Sequence, residues 1–196
     1  MRGFIRNLNS ILFEINSDFE IKTESFMSFR GGIPIYAGSR LSPELSKIVS
    51  RAKENNDLGA RKFLASLIYD ASSLIISKEV SVILIPSRSS ASRNRGIKHI
   101  NELVKEVRKL KEIEVFDILE HTRIVKDQAN LTRIQRIENL DNAFKIKNTN
   151  VPAKAFLLDD LVTSGATALA AAKALKVRNI QLLGVIAACD TASFTE

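Results

Sequence analysis

The stretch from Ala155 to Thr167, AFLLDDLVTSGAT, constrains the fold of this chain more than any other part of the sequence. Its apolar beginning is typical of a strand buried on both faces, and the segment SGATALAAAKALK is typical of a helix packed closely on a sheet. A strand, a short glycine-containing loop and a helix in succession form one unit of a parallel α/β sheet. The pattern therefore predicts that Asp159 and Asp160 lie at the carboxyl end of a strand, at the rim of a ligand crevice.

Other apolar runs and amphipathic segments alternate along the chain in the same way. Three runs predict further strands: VSVILI over Val80–Ile85, IEVFDIL over Ile113–Leu119, and IQLLGVIAA over Ile180–Ala188. Helical spacing predicts helices within Phe4–Ile15, in SPELSKIVSRAKE, in LGARKFLASLIYDASSLI, and from Ile97 to Leu110. The segment from Asn16 to Gly32 is typical of irregular or short extended structure.

This alternation predicts an α/β fold with a doubly wound, mainly parallel sheet and N-terminal helices. A chain of 196 residues suits one compact domain. Within it we expect an N-terminal helix and hood segment over residues 1–40 and the main domain over 41–196. The long polar segment from Glu120 to Pro152 holds at most a short helix around Leu131–Ile137, and it is more typical of a functional lid than of a linker.

Charge and cysteine content narrow the classes of partner and site. The net charge is +7, and eight basic against two acidic residues between Arg88 and Lys111 give that segment a net charge of +6. An anionic ligand or partner is therefore expected, with nucleic acid possible but not required. The single Cys189 predicts a buried small apolar residue and argues against a structural zinc site. No apolar run approaches the ~18 residues of a membrane span, so we expect a cytoplasmic protein.

The residue types after the apolar run indicate a particular ligand. A helix start has unpaired backbone N–H groups, and glycine allows an anion to approach them closely. Hydroxyls from Thr163, Ser164 and Thr167 complete a cradle of phosphate size, while the two acids suit ligand hydroxyls as hydrogen-bond acceptors. The stretch predicts a sugar phosphate such as a ribose 5-phosphate. The alternative is a solvated strand end, with Thr163 or Ser164 merely capping a helix.

These motifs resemble a known family. FLLDDLVTSGAT is similar to the phosphoribosyl pyrophosphate (PRPP) motif of type I phosphoribosyltransferases, with Ser164 where threonine is usual. IPSRSSASRNRGIKH resembles the corresponding segment of the branch related to the competence protein ComF, and the resemblance covers about residues 36–188. Further positions that match this branch are Tyr36, Lys53, Arg123, Gln128, Leu131, Arg136, Asn139 and Phe144. The chain lacks the four-cysteine zinc ribbon of many members, and Lys98 and His99 stand where Asn-Gln is common.

The resemblance implies an enzyme, a phosphoribosyltransferase of the glycosyltransferase class acting in nucleotide metabolism. It would transfer ribose 5-phosphate from PRPP to an unidentified nucleophile and release pyrophosphate, with Mg²⁺ as a cofactor held mainly by the substrate. The 5-phosphate would bind at Thr163, Ser164, Gly165, Ala166 and Thr167. Asp159 and Asp160 would bind the ribose, and we expect the larger role for Asp160. Pyrophosphate would contact Ser87, Arg88, Arg93 and Arg95, while Arg123, Lys126 and Gln128 would belong to a flexible loop that closes over PRPP.

Two further functions remain open at this stage. One is a regulator that binds PRPP without transfer. The other is a ComF-like accessory protein in DNA uptake or nucleic-acid metabolism. The acceptor, the role of His99 and the oligomeric state, with a homo-oligomer possible, stay undetermined.

Overall fold

The computed structural model describes residues 21, 23–75, 81–86, 99–123 and 132–192. Its strands are β1 Phe26–Arg30, β2 Ile33–Arg40, β3 Ser81–Leu84, β4 Glu114–Phe116, β5 Leu119–His121, β6 Phe144–Ile146, β7 Lys154–Val162 and β8 Gln181–Asp190. Its helices are α1 Pro43–Glu54, α2 Leu58–Ser73, α3 His99–Leu110, α4 Arg133–Leu140 and α5 Ala166–Val177. Within these ranges, no helix combines the length and the apolar character needed to cross a membrane.

The main sheet has the strand order β1-β2-β8-β7-β3-β4. Strand β1 runs antiparallel to β2, and every other neighbouring pair is parallel. Because parallel neighbours need a crossover, helices connect these strands and cover the sheet. The predicted fold class, an α/β fold with a mainly parallel sheet flanked by helices, is confirmed.

Alternating side chains of the central strands build a core on each face of the sheet. Phe156 and Leu158 belong to the cluster that includes the apolar faces of α1, α2 and α3. Ala155 and Leu157 belong to the opposite cluster, which includes the buried alanines of α5. Since successive strand residues point to opposite faces, a strand covered on both sides must be apolar throughout. This explains the uninterrupted apolar run that begins at Ala155.

Helices α1 and α2 begin where capping chemistry allows. The Ser42 hydroxyl accepts from the backbone N–H of Leu45 at 3.2 Å, and Pro43 occupies the first turn of α1. The Asp57 carboxylate accepts from the N–H of Ala60 at 3.0 Å at the start of α2. Helix α2 lies so close to β2 that a Cβ atom at Gly38 would stand 2.1 Å from the Leu67 carbonyl oxygen. Only glycine permits that approach.

The sequence predicted no more than short extended structure where β1 lies, and it did not predict β2. Strand β1 lies within the segment expected to be irregular or short extended structure, and β2 joins the main sheet by pairing with β8. Residues 26–40 of the predicted N-terminal segment thus belong to the same sheet as the rest of the chain. The helix predicted within residues 4–15 lies outside the described residues, so a hood in this region stays a prediction.

The region after β3 also differs from the prediction. The run predicted as one strand over Ile113–Leu119 divides into β4, in the main sheet, and β5, which pairs with β6 in a separate antiparallel ribbon. The short helix expected between Glu120 and Pro152 is confirmed as α4, but the expectation that this region holds no other regular element was wrong, because β6 and the end of β5 lie in it. Helix α4 starts after a capping box made by Thr132 and Gln135, two residues later than predicted. Three-residue strands carry too little alternation to be recognised, and their partners lie far away in the sequence.

Candidate functional site

The two acids of the DD pair lie on opposite faces of β7. This strand continues beyond the predicted Leu158 to Val162, because β8 pairs with it as far as Asp190. Its pleat directs Asp159 into a pocket that also contains the loop at 163–165 and the first turn of α5. Asp160 points to the other face, where only 5% of the residue is exposed. The pocket therefore contains one carboxylate of the pair, that of Asp159.

The pocket floor is the loop that leads into α5. Gly165 has a φ of +73° and is the N-cap of the helix, where it contributes no side-chain cap. The backbone N–H of Ala166 donates to the Ser164 hydroxyl at 3.4 Å. Thr163, Ser164, Gly165, Ala166 and Thr167, which the sequence predicted as one cradle, all line this pocket. The structure thus brings the predicted cradle together with Asp159 at a helix N-terminus, where the helix dipole favours an anion.

Asp160 lies in a polar cluster made by three elements. Its Oδ2 atom is 3.1 Å from Nε2 of His99, at the start of α3, and 3.7 Å from Nζ of Lys53, at the end of α1. The His99 side chain is 9% exposed, and among the described residues neither of its ring nitrogens makes a hydrogen bond of regular geometry, so His99 contacts Asp160 as a close polar neighbour. His99 had no assigned role in the sequence, and the structure makes it a partner of Asp160.

The environments of the two acids push their pKa values apart. Burial raises the pKa of Asp159 well above its ordinary value, and the neighbouring Asp160 carboxylate raises it further. Burial alone would also raise the pKa of Asp160, but the Lys53 ammonium and the His99 ring outweigh it and bring that pKa below its usual range. Asp160 is therefore the firmly ionised member of the pair, and Asp159 is the member that takes up a proton first.

Comparisons with known proteins find similarity among solved structures. No family model matches the sequence, and no curated protein matches it significantly. Among solved structures it is similar to adenine phosphoribosyltransferase from Saccharomyces cerevisiae, crystallised with an imino-altritol bisphosphate and adenine. That likeness has a TM-score of 0.40 and 13% identity, and covers 93% of this chain and 89% of the other. The assignment of the site therefore depends on the geometry of the chain itself.

A buried ionic cluster, which the sequence did not reveal, lies behind the loop. Nη2 of Arg30 is 2.7 Å from Oδ1 of Asp190, and Nε of Arg30 donates to the Thr163 carbonyl oxygen at 3.0 Å. Asp190, at the end of β8, is fully buried and also accepts from the Ser28 hydroxyl. One signal for Asp190 was present in the sequence, because an acid follows the apolar run of the last predicted strand. Its partner, Arg30, is 160 residues away along the chain and gave no signal.

Several predicted site residues lie elsewhere or outside the described residues. Arg123, which follows β5, donates to the carbonyl oxygens of Asn139 and Asp141 at the end of α4. Tyr36 lies on β2 and packs edge-on against Phe156. The predicted residues outside the described ranges are Ser87, Arg88, Arg93, Arg95, Lys126 and Gln128. Their roles stay predictions.

Cys189 is expected to be unreactive in the folded protein. The residue is fully buried on β8, which confirms the sequence interpretation, and burial raises the pKa of its thiol to about 12. A thiol reagent reacts with the thiolate, which is scarce and shielded here. At mildly alkaline pH, colorimetric labelling should therefore be complete in denaturant and negligible without it. Rapid labelling of the native protein would contradict the burial of this strand.

Proposed function

We propose that this protein binds PRPP and Mg²⁺ and transfers ribose 5-phosphate to a nucleophile with release of pyrophosphate. The observation that carries the proposal is the pocket in which the Asp159 carboxylate faces the loop 163–165 and the N-terminus of α5. A phosphate suits the helix end, and the carboxylate suits the hydroxyls of a sugar attached to that phosphate. A bare phosphate would offer the Asp159 carboxylate no hydroxyl donor and would be repelled by it.

Each part of the donor would have its own group in the site. Backbone N–H groups from Ser164 onward and the hydroxyls of Thr163, Ser164 and Thr167 would hold the 5-phosphate. Asp159 would accept from the ribose hydroxyls. Asp160, ionised beside Lys53 and His99, would place negative charge near the sugar, where positive charge develops at C1 as the bond to pyrophosphate breaks. The sequence-based expectation that Asp160 contacts the ribose more than Asp159 stays a prediction.

A magnesium ion would fit the charge of this site. Burial raises the pKa of Asp159 and the neighbouring Asp160 carboxylate raises it further, and a cation beside the two acids would favour their ionised forms. No group of three metal-ligating side chains occurs in the described part of the chain. Substrate oxygens would then supply most ligands, as is usual for Mg²⁺, with Asp159 as the pocket carboxylate able to complete them. When bound, the ion would add positive charge that stabilises the departing pyrophosphate.

Thermal unfolding with added ligand tests this proposal directly. PRPP should raise the midpoint of unfolding of the full chain, because a ligand that binds only the folded state stabilises it by about 2.7 kcal/mol at a hundred times its Kd. The increase should be larger with Mg²⁺ than with a chelator. Ribose 5-phosphate should give a smaller increase than PRPP, and ribose should give none. If PRPP causes no stabilisation with or without Mg²⁺, the proposal is wrong.

Transfer and binding can be separated once PRPP binds. Pyrophosphate release would be followed with a panel of amines and nucleobases, with Asp159→Asn as the matched inactive control. Release that depends on one acceptor and on Asp159 would identify an enzyme and its substrate. Stabilisation by PRPP without any release above that control would instead identify a PRPP-binding regulator.

The described part of the basic segment does not favour a nucleic-acid role. On α3, Lys105 pairs with Glu102 at 2.6 Å and Lys109 pairs with Glu106 at 2.7 Å. The ammonium group of Lys111 donates to the carbonyl oxygen and the hydroxyl of Ser72 on α2. These contacts pair two of the lysines with carboxylates and bind the third to Ser72. A small anionic ligand is therefore a better proposal than a nucleic acid. A ComF-like role in competence stays a prediction from the resemblance.

A further inference from the structure

We propose that Arg30 is a positioning residue that orients the phosphate-binding loop from behind. This inference rests on the proposed function, because it concerns the same loop. Arg30 is not among the described residues that line the pocket, so it would act through the loop and not on the ligand. It comes from β1, the edge strand farthest in sequence from the loop.

The first support is the geometry of the peptide between Thr163 and Ser164. In a trans peptide, the carbonyl oxygen and the following N–H point in opposite directions. Nε of Arg30 donates to the Thr163 oxygen at 3.0 Å, and Arg30 is not among the described residues that line the pocket. The N–H of Ser164, a residue that lines the pocket, therefore points away from Arg30. Arg30 thereby sets the direction of one donor that the 5-phosphate needs.

The second support is the way the guanidinium is itself fixed. Its Nη2 atom pairs with the fully buried Asp190 at 2.7 Å, and its Nη1 atom donates to the carbonyl oxygen of Phe29 at 2.9 Å. All three nitrogens of the group therefore have protein acceptors, and the side chain is only 11% exposed. A lysine has one nitrogen and could not hold both Asp190 and Thr163 in this geometry.

The third support is packing on both sides of Arg30. A Cβ atom at Gly165 would lie 2.5 Å from the Arg30 Cβ, so the loop backbone rests directly on this side chain. The next residue of the hairpin turn, Gly31, packs against Leu169 in the first turn of α5, where its own Cβ would be 2.9 Å from Cδ2 of Leu169. The hairpin of β1 and β2 therefore contacts both the loop and the helix start that form the pocket.

The test compares Arg30→Lys and Arg30→Met with Arg40→Met in the full chain. Arg40 is a matched control, because it donates to the Ala192 carbonyl oxygen just beyond β8, lies over the Phe26 ring, and is not among the described residues that line the pocket. We expect calorimetry to show PRPP binding about tenfold weaker, or worse, in both Arg30 variants. Binding by Arg40→Met should stay within about twofold of the wild type. The ligand-free amide resonances of Ser164 and Gly165 should shift in Arg30→Lys and not in Arg40→Met.

The outcomes separate this inference from the proposed function. Wild-type affinity for PRPP in folded Arg30→Lys would overturn the inference and leave the proposed function standing. If the wild type does not bind PRPP, the proposed function is wrong, and an unshifted Ser164 amide in Arg30→Lys would also overturn the orienting role of Arg30. If Arg30→Met fails to fold, Arg30→Lys decides the question alone. This variant keeps the positive charge and loses the several N–H donors of the guanidinium group.

Discussion

Gly165→Ala should abolish the stabilisation by PRPP and lower the free energy of unfolding by about 2–4 kcal/mol. Gly165 has a φ of +73°, a conformation that costs an L-residue about 1–2 kcal/mol. The added methyl group would also stand 2.5 Å from Cβ and 2.9 Å from Cγ of Arg30. Either the loop or Arg30 must move, and each movement turns the loop N–H groups away from the phosphate. Calorimetry with PRPP and urea unfolding measure the two effects.

Gly32→Ala is the matched control for this substitution. Gly32 also has a positive φ, +82°, but a Cβ atom there would meet no atom of the described residues within 4 Å. It should therefore show the backbone cost alone, about 1–2 kcal/mol, and keep its affinity for PRPP. Equal loss of binding in both variants would mean that the hairpin as a whole is sensitive. Retained binding in Gly165→Ala would show that the loop is not the phosphate site.

Asparagine at the two acids should change stability in opposite directions while weakening PRPP binding in both cases. Asp159→Asn removes a carboxylate that burial and Asp160 disfavour, so at neutral pH it should stabilise the fold by about 1 kcal/mol. Asp160→Asn removes the negative charge beside His99 and Lys53 and should destabilise the fold by about 1–3 kcal/mol. This figure is below that of a fully buried pair because the Lys53 side chain is 52% exposed.

The pH dependence of these variants follows from the signs of the pKa shifts. Because the pKa of Asp160 is lowered in the folded protein, its contribution is present above the unfolded value of about 3.9 and is lost as the pH falls below it. Because the pKa of Asp159 is raised, the wild type loses stability as the pH rises through the folded value. The advantage of Asp159→Asn should therefore grow with pH, and the deficit of Asp160→Asn should shrink in acid.

Asp70→Asn is a control for the effect on stability, because it removes a carboxylate that lies outside the proposed PRPP site. Burial raises the pKa of Asp70 on α2, so this variant should also stabilise the protein modestly. Asp70 is not among the described residues that line the pocket, and PRPP binding should not change. Urea unfolding across acidic and neutral pH, together with PRPP titration, tests all three variants. Destabilisation by Asp159→Asn at neutral pH would show that the ionised Asp159 carboxylate does not destabilise the folded protein.

Local patterns were sufficient to predict the units that carry the proposed site. The central strand, the loop and α5 follow each other directly in the sequence, so residue types and their spacing predicted all three. Where a prediction depended on partners far away in the chain, it was incomplete or wrong. The run from Ile113 to Leu119 was predicted as one strand, yet its two halves pair with strands in different sheets.

The sequence by itself determined that an α/β sheet presents a DD pair and a glycine loop at one strand end. Only the tertiary structure decided that Asp159 shares the pocket with the loop while Asp160 joins His99 and Lys53, since the pleat fixes which side each residue faces. It also decided that Arg30 and Asp190 support the loop from behind. The reason is physical: backbone preferences act over a few neighbouring residues, whereas ion pairs and strand pairing join residues that only the folded chain brings together.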